Sequence, residues 1–349
     1  MRPNSFRRQI VGAIAMTIGA VVSRGYAQSF DVTMSTTADR WMYPFNVTPG
    51  TRPAGSVFGY TPFPLEESFD NRDGQVIVAF DTGDLIPSGA GPGRYQIDRL
   101  VLEITLSGPA SSEIDVTVDD WRTYLPSRTA EALPDLDPGR PIELFGAGFR
   151  FGYDLLTWTE DAPFSDGDIF GIENRNVFAA GIDANGGTFD VSSNYTAGFT
   201  AEPLAVARFP GYDAGEFAIE GAVATFEVDL TVPGVRTWVG EGLDAGRLVF
   251  AITSLVGASQ GDAVLTQFYL RENPLVEVGV REASTLDLAV VIKKGCDVPG
   301  DLDGDCATTG GDLGIFLSLW NTDDSDADFN FDGVVDGADL GLILGWIGL

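Results

Sequence analysis

The chain has 349 residues, 51 of them Asp or Glu and 21 Lys or Arg, with no histidine and two cysteines. Without imidazole, Ser-His-Asp triads, Cys-His dyads and His-ligated zinc are excluded, so any catalysis would rest on carboxylates, Tyr, Lys or a metal. A net charge of −30 argues against nucleic acid and anionic membranes as partners, since both are gripped through Lys and Arg.

Residues 1–27 read as a secretory signal peptide. Arg2, Arg7 and Arg8 form a basic head without acids, Ile10–Val22 is apolar, and Gly25-Tyr26-Ala27 is a small-residue cleavage site. The apolar run is short for a transmembrane helix. The expectation is a secreted protein, extracellular or at the cell surface and cleaved after Ala27. Arg7-Arg8 leaves both ordinary Sec export and twin-arginine export open. Removing the signal takes four basic residues and no acid, so 17 Lys and Arg face 51 acids and the mature charge is −34. In an exported chain, the neighbouring Cys296 and Cys306 fit a disulfide better than a metal site.

From Gln28 to Lys294 short runs of Val, Ile, Phe, Leu and Thr alternate with Gly, Pro, Asn and Asp. In chain order the predicted strands are 75–80, 95–106, 113–118, 224–232, 247–256, 265–270, 275–280 and 286–292. Leu100, Leu102, Ile104 and Leu106 share one face of their strand, as do Phe226, Val228 and Leu230, which marks strands buried on one side. No stretch keeps a 3.6-residue apolar period over three turns. The expected fold is mainly β, a β-sandwich or jelly roll with one large core. Leu125–Arg140 and Phe164–Thr200, rich in Pro, Asp, Asn and Gly, read as long loops.

Composition changes near Lys294. From Gly295 to Leu349 there are 12 Asp and no Glu, Lys or Arg, which sets off residues 295–349 as a second, small α-helical domain. Two parts of this tail superpose at an offset of 27 residues. Asp301 falls on Asp328, Asp303 on Asn330, Asp305 on Asp332, Thr309 on Asp336 and Asp312 on Asp339. Behind them Leu313, Phe316, Leu317 and Trp320 match Leu340, Ile343, Leu344 and Ile347, each set at helical spacing, expected to pack the two helices together. Oxygens at loop positions 1, 3, 5, 9 and 12, with a backbone carbonyl at position 7, suit a Ca²⁺ ion. Those carbonyls belong to Ala307 and Val334. The competing reading is a pair of acidic turns with Asp312 and Asp339 as helix N-caps.

This arrangement resembles the dockerin type I module, a duplicated EF-hand-like loop–helix pair. The resemblance covers Asp297–Leu349. It implies two Ca²⁺ ions, one held by Asp301, Asp303, Asp305, Ala307, Thr309 and Asp312, the other by Asp328, Asn330, Asp332, Val334, Asp336 and Asp339. It also implies docking onto a cohesin, often to assemble polysaccharide-degrading enzymes. The pattern departs from the family at three points. Cys306 stands at turn position 6, where the second repeat has Gly333, and a Cys296–Cys306 disulfide would hold that turn. Gly310-Gly311 and Gly337-Ala338 replace the usual Ser/Thr contact residues, and the helices carry no Lys or Arg. The chain also stops barely past the second helix. These departures leave three readings of the partner: a divergent cohesin-like protein, the chain's own β-domain, or none.

More loosely, "FDNRDGQVIVAFDTG" (Phe69–Gly83) and "DPGRPIELFGAGFRFGY" (Asp137–Tyr153) resemble a group of uncharacterised secreted bacterial β-rich proteins. Asp119-Asp120 beside Trp121 and Glu160-Asp161 after Trp158 have the residue types of glycosidase acid pairs. Trp41, Trp121, Trp158 and Trp238 could stack on sugar rings, although aromatics equally build β-sandwich cores. Tyr60, Tyr124 and Tyr153 carry no clearer signal. The preferred reading is a secreted protein whose calcium-folded tail mediates attachment or assembly beside a non-catalytic β-domain. The alternatives are a carbohydrate-active enzyme and a carbohydrate-binding module in the same format, and by the family resemblance a polysaccharide is a possible partner.

Overall fold

The structure is a computed structural model describing residues 28–63, 68–258, 265–293, 298–303, 306–324, 326–330 and 332–347. The signal segment, Cys296 and Asp305 lie outside these. The strands are β1 (Gln28–Ser35), β2 (Ala38–Met42), β3 (Ala54–Val57), β4 (Gln75–Asp81), β5 (Tyr95–Thr105), β6 (Ile114–Asp115), β7 (Arg140–Pro141), β8 (Glu143–Phe149), β9 (Val177–Ile182), β10 (Thr188–Asp190), β11 (Ala205–Val206), β12 (Val223–Glu227), β13 (Arg247–Thr253), β14 (Thr266–Tyr269) and β15 (Ser284–Ile292). The helices are α1 (Asn194–Ala197), α2 (Val235–Ala245), α3 (Pro274–Glu277), α4 (Gly310–Ser318) and α5 (Gly337–Trp346). The protein is mainly β, as its sequence predicts.

A four-stranded antiparallel sheet runs β1-β15-β5-β12. A second antiparallel sheet runs β10-β9-β8-β13-β4-β2, with β11 added to β8. Leu100, Leu102 and Ile104 of β5 and Leu286, Leu288 and Val290 of β15 join Val76, Val78, Phe80, Leu248 and Phe250 of the second sheet in the larger apolar cluster. In β5 the residues between them, such as Gln96, Asp98 and Glu103, are exposed, which is the alternation of a strand with one wet face. Strands β4 and β13 are buried along nearly their whole length because Ile77, Ala79, Val249 and Ala251 face a second cluster with Phe145, Trp158 and Phe164. That explains their unbroken apolar text.

Four sequence expectations fail. Helix α2 exists, burying Val235, Val239 and Leu243 at four-residue spacing between Gly234 and Gly246, both in the left-handed region. The glycines end the helix where a side chain would be strained, and the three apolar positions were too few to register as a period. Residues 275–280, read as a strand, begin in α3, because Asn273 accepts from the Leu275 N–H and Pro274 starts the turn. The predicted loop Phe164–Thr200 contains β9, β10 and α1. The predicted strand 113–118 shrinks to Ile114–Asp115, which pairs in parallel with Arg140–Pro141.

The DNRDG stretch is a buried polar hub. Asp70, Asn71, Arg72 and Asp73 are all nearly inaccessible. Asp70 accepts from Arg175 Nε, Glu173 N and Ser193 Oγ. Asn71 exchanges bonds with Tyr60 O and both Thr196 groups. Arg72 pairs with Glu143 of β8 and reaches Asn194 at 3.2 Å. Phe69–Gly83 and β8 thus meet in one network, which pins residues 173–199 to the second sheet.

Candidate metal centre

In the tail, Thr309 and Asp336 are the N-caps of α4 and α5. Each accepts a main-chain N–H two residues on, from Gly311 and Ala338. Asp312 and Asp339 are therefore not the N-caps that the competing sequence reading offered. They occupy the third helical position of a capping box, returning a carboxylate to the cap residue's N–H. The Asp312 carboxylate accepts from Thr309 N at 2.7 Å, Leu302 N at 2.7 Å and Asp303 N at 3.0 Å. Asp339 repeats this with Asp336 N and Asn330 N, both at 3.0 Å. Burial alone would raise both carboxyls. The N–H groups of Thr309, Asp303 and Leu302, and of Asp336, Asn330 and Phe329, outweigh it and hold both below the usual range.

The duplication extends to the turn. Asp301 Oδ2 accepts from Cys306 N at 3.0 Å, and Asp328 Oδ2 from Gly333 N at 2.8 Å. Cys306 has φ 75° and Gly333 φ 89°, so both loops bend through the left-handed region at position 6. Cys306 does so at a conformational cost that glycine escapes, on the order of 1 kcal/mol. Cys306 is not free, and Cys296 lies outside the described residues, as does Asp305. Ala307 and Val334 both lie at the surface at position 7, each followed by a buried residue, Thr308 and Val335.

In the first loop, carboxylate oxygens of Asp301, Asp303 and Asp312 lie within 4.8 Å of one another, the separation of two ligands on opposite sides of an ion about 2.4 Å from each. The second loop has Asn330 in place of Asp303. Its Asp328, Asp332, Asp336 and Asp339 form no such carboxylate group among the described residues, and Asn330 Nδ2 instead donates to Asp332 Oδ2 at 2.9 Å. The donor set of the first loop fits a hard divalent cation, and the second has the same frame with a looser cage.

Behind the loops Phe316, Ala327, Val335 and Ile343 form a small core, flanked by Leu302, Leu313, Phe329, Leu340 and Trp346. The expected helix–helix face is only half used. Leu317 and Leu344 are each 52% exposed, and Trp320 is 43% exposed with its ring edge-on to Phe316 at 5.8 Å. The tail also touches the β-domain, since a Cβ on Gly93 would lie 2.1 Å from the Asp303 carbonyl oxygen.

Of the two acid pairs with glycosidase-like residue types, Asp119, Asp120 and Glu160 are engaged elsewhere. Asp119 accepts from Arg140 Nη1 at 2.7 Å and Tyr124 OH at 3.0 Å. Asp120 caps a 3-10 turn and binds Arg122. Glu160 accepts from Asp39 N and Arg271 Nη1, each at 3.1 Å. Trp158 is fully buried, Trp41 stacks on Tyr43 at 4.9 Å, Trp121 meets Tyr195 edge-on, and Trp238 packs on Phe250. These four do not form one platform. Sequence reasoning missed an aromatic patch in which the exposed Phe45 and Phe170 flank Phe69 and Tyr60. It had no periodic signal, because its members come from separate loops. It also missed a cleft of about 430 Å³ between α2 and the second sheet, lined by Phe149, Trp238, Glu241 and Arg247. Among the described residues no helix is long and apolar enough to cross a membrane.

The chain matches no family model, no curated protein and no solved structure.

Proposed function

We propose that residues 297–349 are a dockerin-like module that binds two Ca²⁺ ions and attaches or assembles the protein outside the cell, beside a non-catalytic β-sandwich domain. The observation that carries this reading is the repeated frame. In both loops the position-12 carboxylate is wholly buried at the helix start and takes the position-3 and position-9 N–H groups, while the position-1 carboxylate takes the position-6 N–H. Capping explains positions 9 and 12, but not the acids at positions 1, 3 and 5 in front of them. The sandwich reading rests on the apolar cluster shared by the two sheets. A Cys296–Cys306 bridge would offset the unfavourable φ at Cys306. Exposed Leu317, Trp320 and Leu344, with no Lys or Arg nearby in sequence, favour an apolar contact over the basic one of cellulosomal dockerins. The partner is then a divergent cohesin-like protein, and the Gly93 contact makes the chain's own β-domain a second surface for the tail.

The test is calorimetric titration of chelator-stripped protein with Ca²⁺, in the parent and in Asp301→Ala/Asp328→Ala. Position 1 supplies a ligand and also fixes the turn, so the double variant should lose both tail ions. An unchanged number of bound ions would refute the reading.

A further inference from the structure

A second acidic group lies far from the tail in sequence, where β6 meets the loop that leads into β7. Carboxylate oxygens of Asp115, Asp119 and Asp137 lie within 4.8 Å of one another. Asp115 is 3% exposed. Its Oδ1 accepts from Thr117 N and Thr117 Oγ1, both at 2.8 Å, while its Oδ2 is buried with no hydrogen-bond partner. A buried carboxylate oxygen left bare forgoes the solvation it has in water and gains nothing in return. Thr117 Oγ1 also bonds Asp137 Oδ2 at 2.6 Å, which brings the exposed acid of the loop to the buried one of the strand. Arg140 touches only one side of the group, Asp119 at 2.7 Å and Asp135 at 3.2 Å. Four carboxylates thus meet around one guanidinium. Burial, with repulsion from their neighbours, raises Asp115, Asp119 and Asp135.

A third acidic group among the described residues has more donors at hand, although Glu272 Oε2 there is likewise buried without a hydrogen-bond partner. Around Asp39, Glu160 and Glu272, the Arg271 main-chain N–H contacts both oxygens of Asp39 and its guanidinium contacts Glu160. No such donor reaches Asp115 Oδ2.

We propose that Asp115, Asp119 and Asp137 hold a divalent cation in the β-domain, separate from the tail. The donors are all hard oxygens and a carboxylate already sits dehydrated, which selects Ca²⁺ over nitrogen- and sulfur-seeking metals and over strongly hydrated Mg²⁺. Bound there, the ion satisfies Asp115 Oδ2 and clips the Pro- and Asp-rich residues 125–139 to β6.

The experiment is equilibrium dialysis of the chelator-stripped full chain against Ca²⁺, with the tail silenced by Asp301→Ala/Asp328→Ala so that the two readings fail separately. The silenced chain should retain one ion. Asp115→Asn in that background should weaken it about 10–100-fold, as changes to metal-site carboxylates do. Asp137→Asn, at an exposed position where misfolding is no concern, should also weaken it. A parent that binds a single ion sensitive to Asp137→Asn would support this site while removing the tail reading. A silenced chain that binds no ion, or binds one indifferent to both changes, would overturn the proposal and leave Asp115 Oδ2 to a water in the adjoining cavity of about 10 Å³.

Discussion

Arg72 joins the buried polar hub ahead of β4 to Glu143 of β8, and their side chains are 1% and 4% exposed. Arg72 also lies over the Phe145 ring at 4.6 Å. A charge so placed is tolerable only while its partner is present. Glu143→Gln should therefore destabilise the β-domain by about 3–5 kcal/mol in urea unfolding, and Arg72→Met/Glu143→Leu should recover part of that loss. A cost below about 1 kcal/mol for the single change would mean that water reaches the pair. Asp39 gives a pH signature instead. Burial, then repulsion from Glu272, pushes its carboxyl up to about 8. The unfolded chain ionises this group near 3.8, so the folded state binds the proton more tightly. The destabilisation is absent below about pH 4, grows as pH rises towards 8, and is constant above that. Asp39→Asn should flatten the fall of the thermal midpoint between pH 5 and pH 8, and a slope as steep as the parent's would place the titration elsewhere.

At the scale of elements, what the sequence revealed depended on how periodic each element's surroundings are. Strands β5, β12 and β15 alternate because one face meets water, and α4 and α5 were legible because a duplication put their apolar positions in register. Helix α2 and strand β9 escaped. The helix contributes few buried positions per turn, and VFAAGI sits within polar loop text while its own side chains are covered on both faces. The hub of Asp70, Asn71, Arg72 and Asp73 reads as a loop because its polarity is satisfied by residues about 70 to 125 positions away. Of the candidate metal centre, the spacing of the acids is legible but the capping geometry is not, since position 9 rather than position 12 is the N-cap. Nor could sequence show that the first loop leans on the turn 92–94. There Gly240 of α2 approaches Pro92 O from one side and Asp303 meets Gly93 from the other, each too close for a Cβ. Asp303 N is also a donor to Asp312, so displacing this loop disturbs the carboxylate behind it. Gly93→Val should lower the Ca²⁺ affinity of the first loop several-fold and leave the second unchanged, read from chemical shifts of Gly311 and Gly337 during titration. Equal effects on both loops would mean the tail does not rest on the β-domain.

For the molecule as a whole, charge is distributed against stability. Of 51 acids, 12 fall in the last 55 residues, where no Lys or Arg offsets them, and among the described residues the tail's core has four fully packed apolar side chains, Phe316, Ala327, Val335 and Ile343. So small a core offsets little repulsion. The tail should therefore respond to two different cations in two different ways. Sodium chloride screens exposed charges within a Debye length of about 8 Å at 0.15 M, so it should stabilise the stripped tail gradually and without saturation. Ca²⁺ at 100 times its Kd contributes about 2.7 kcal/mol per site by mass action, and its effect should saturate at an ionic strength too low for screening to matter. Fluorescence of the half-exposed Trp320 and the partly buried Trp346 reports the melting of this region. If Mg²⁺ or added NaCl matched the effect of Ca²⁺ at equal ionic strength, the duplicated acids would be a solubilising surface. If Ca²⁺ alone gave a saturating rise, lost in Asp301→Ala/Asp328→Ala, repulsion among those carboxylates in the unliganded tail would be what makes its folding conditional on the ion.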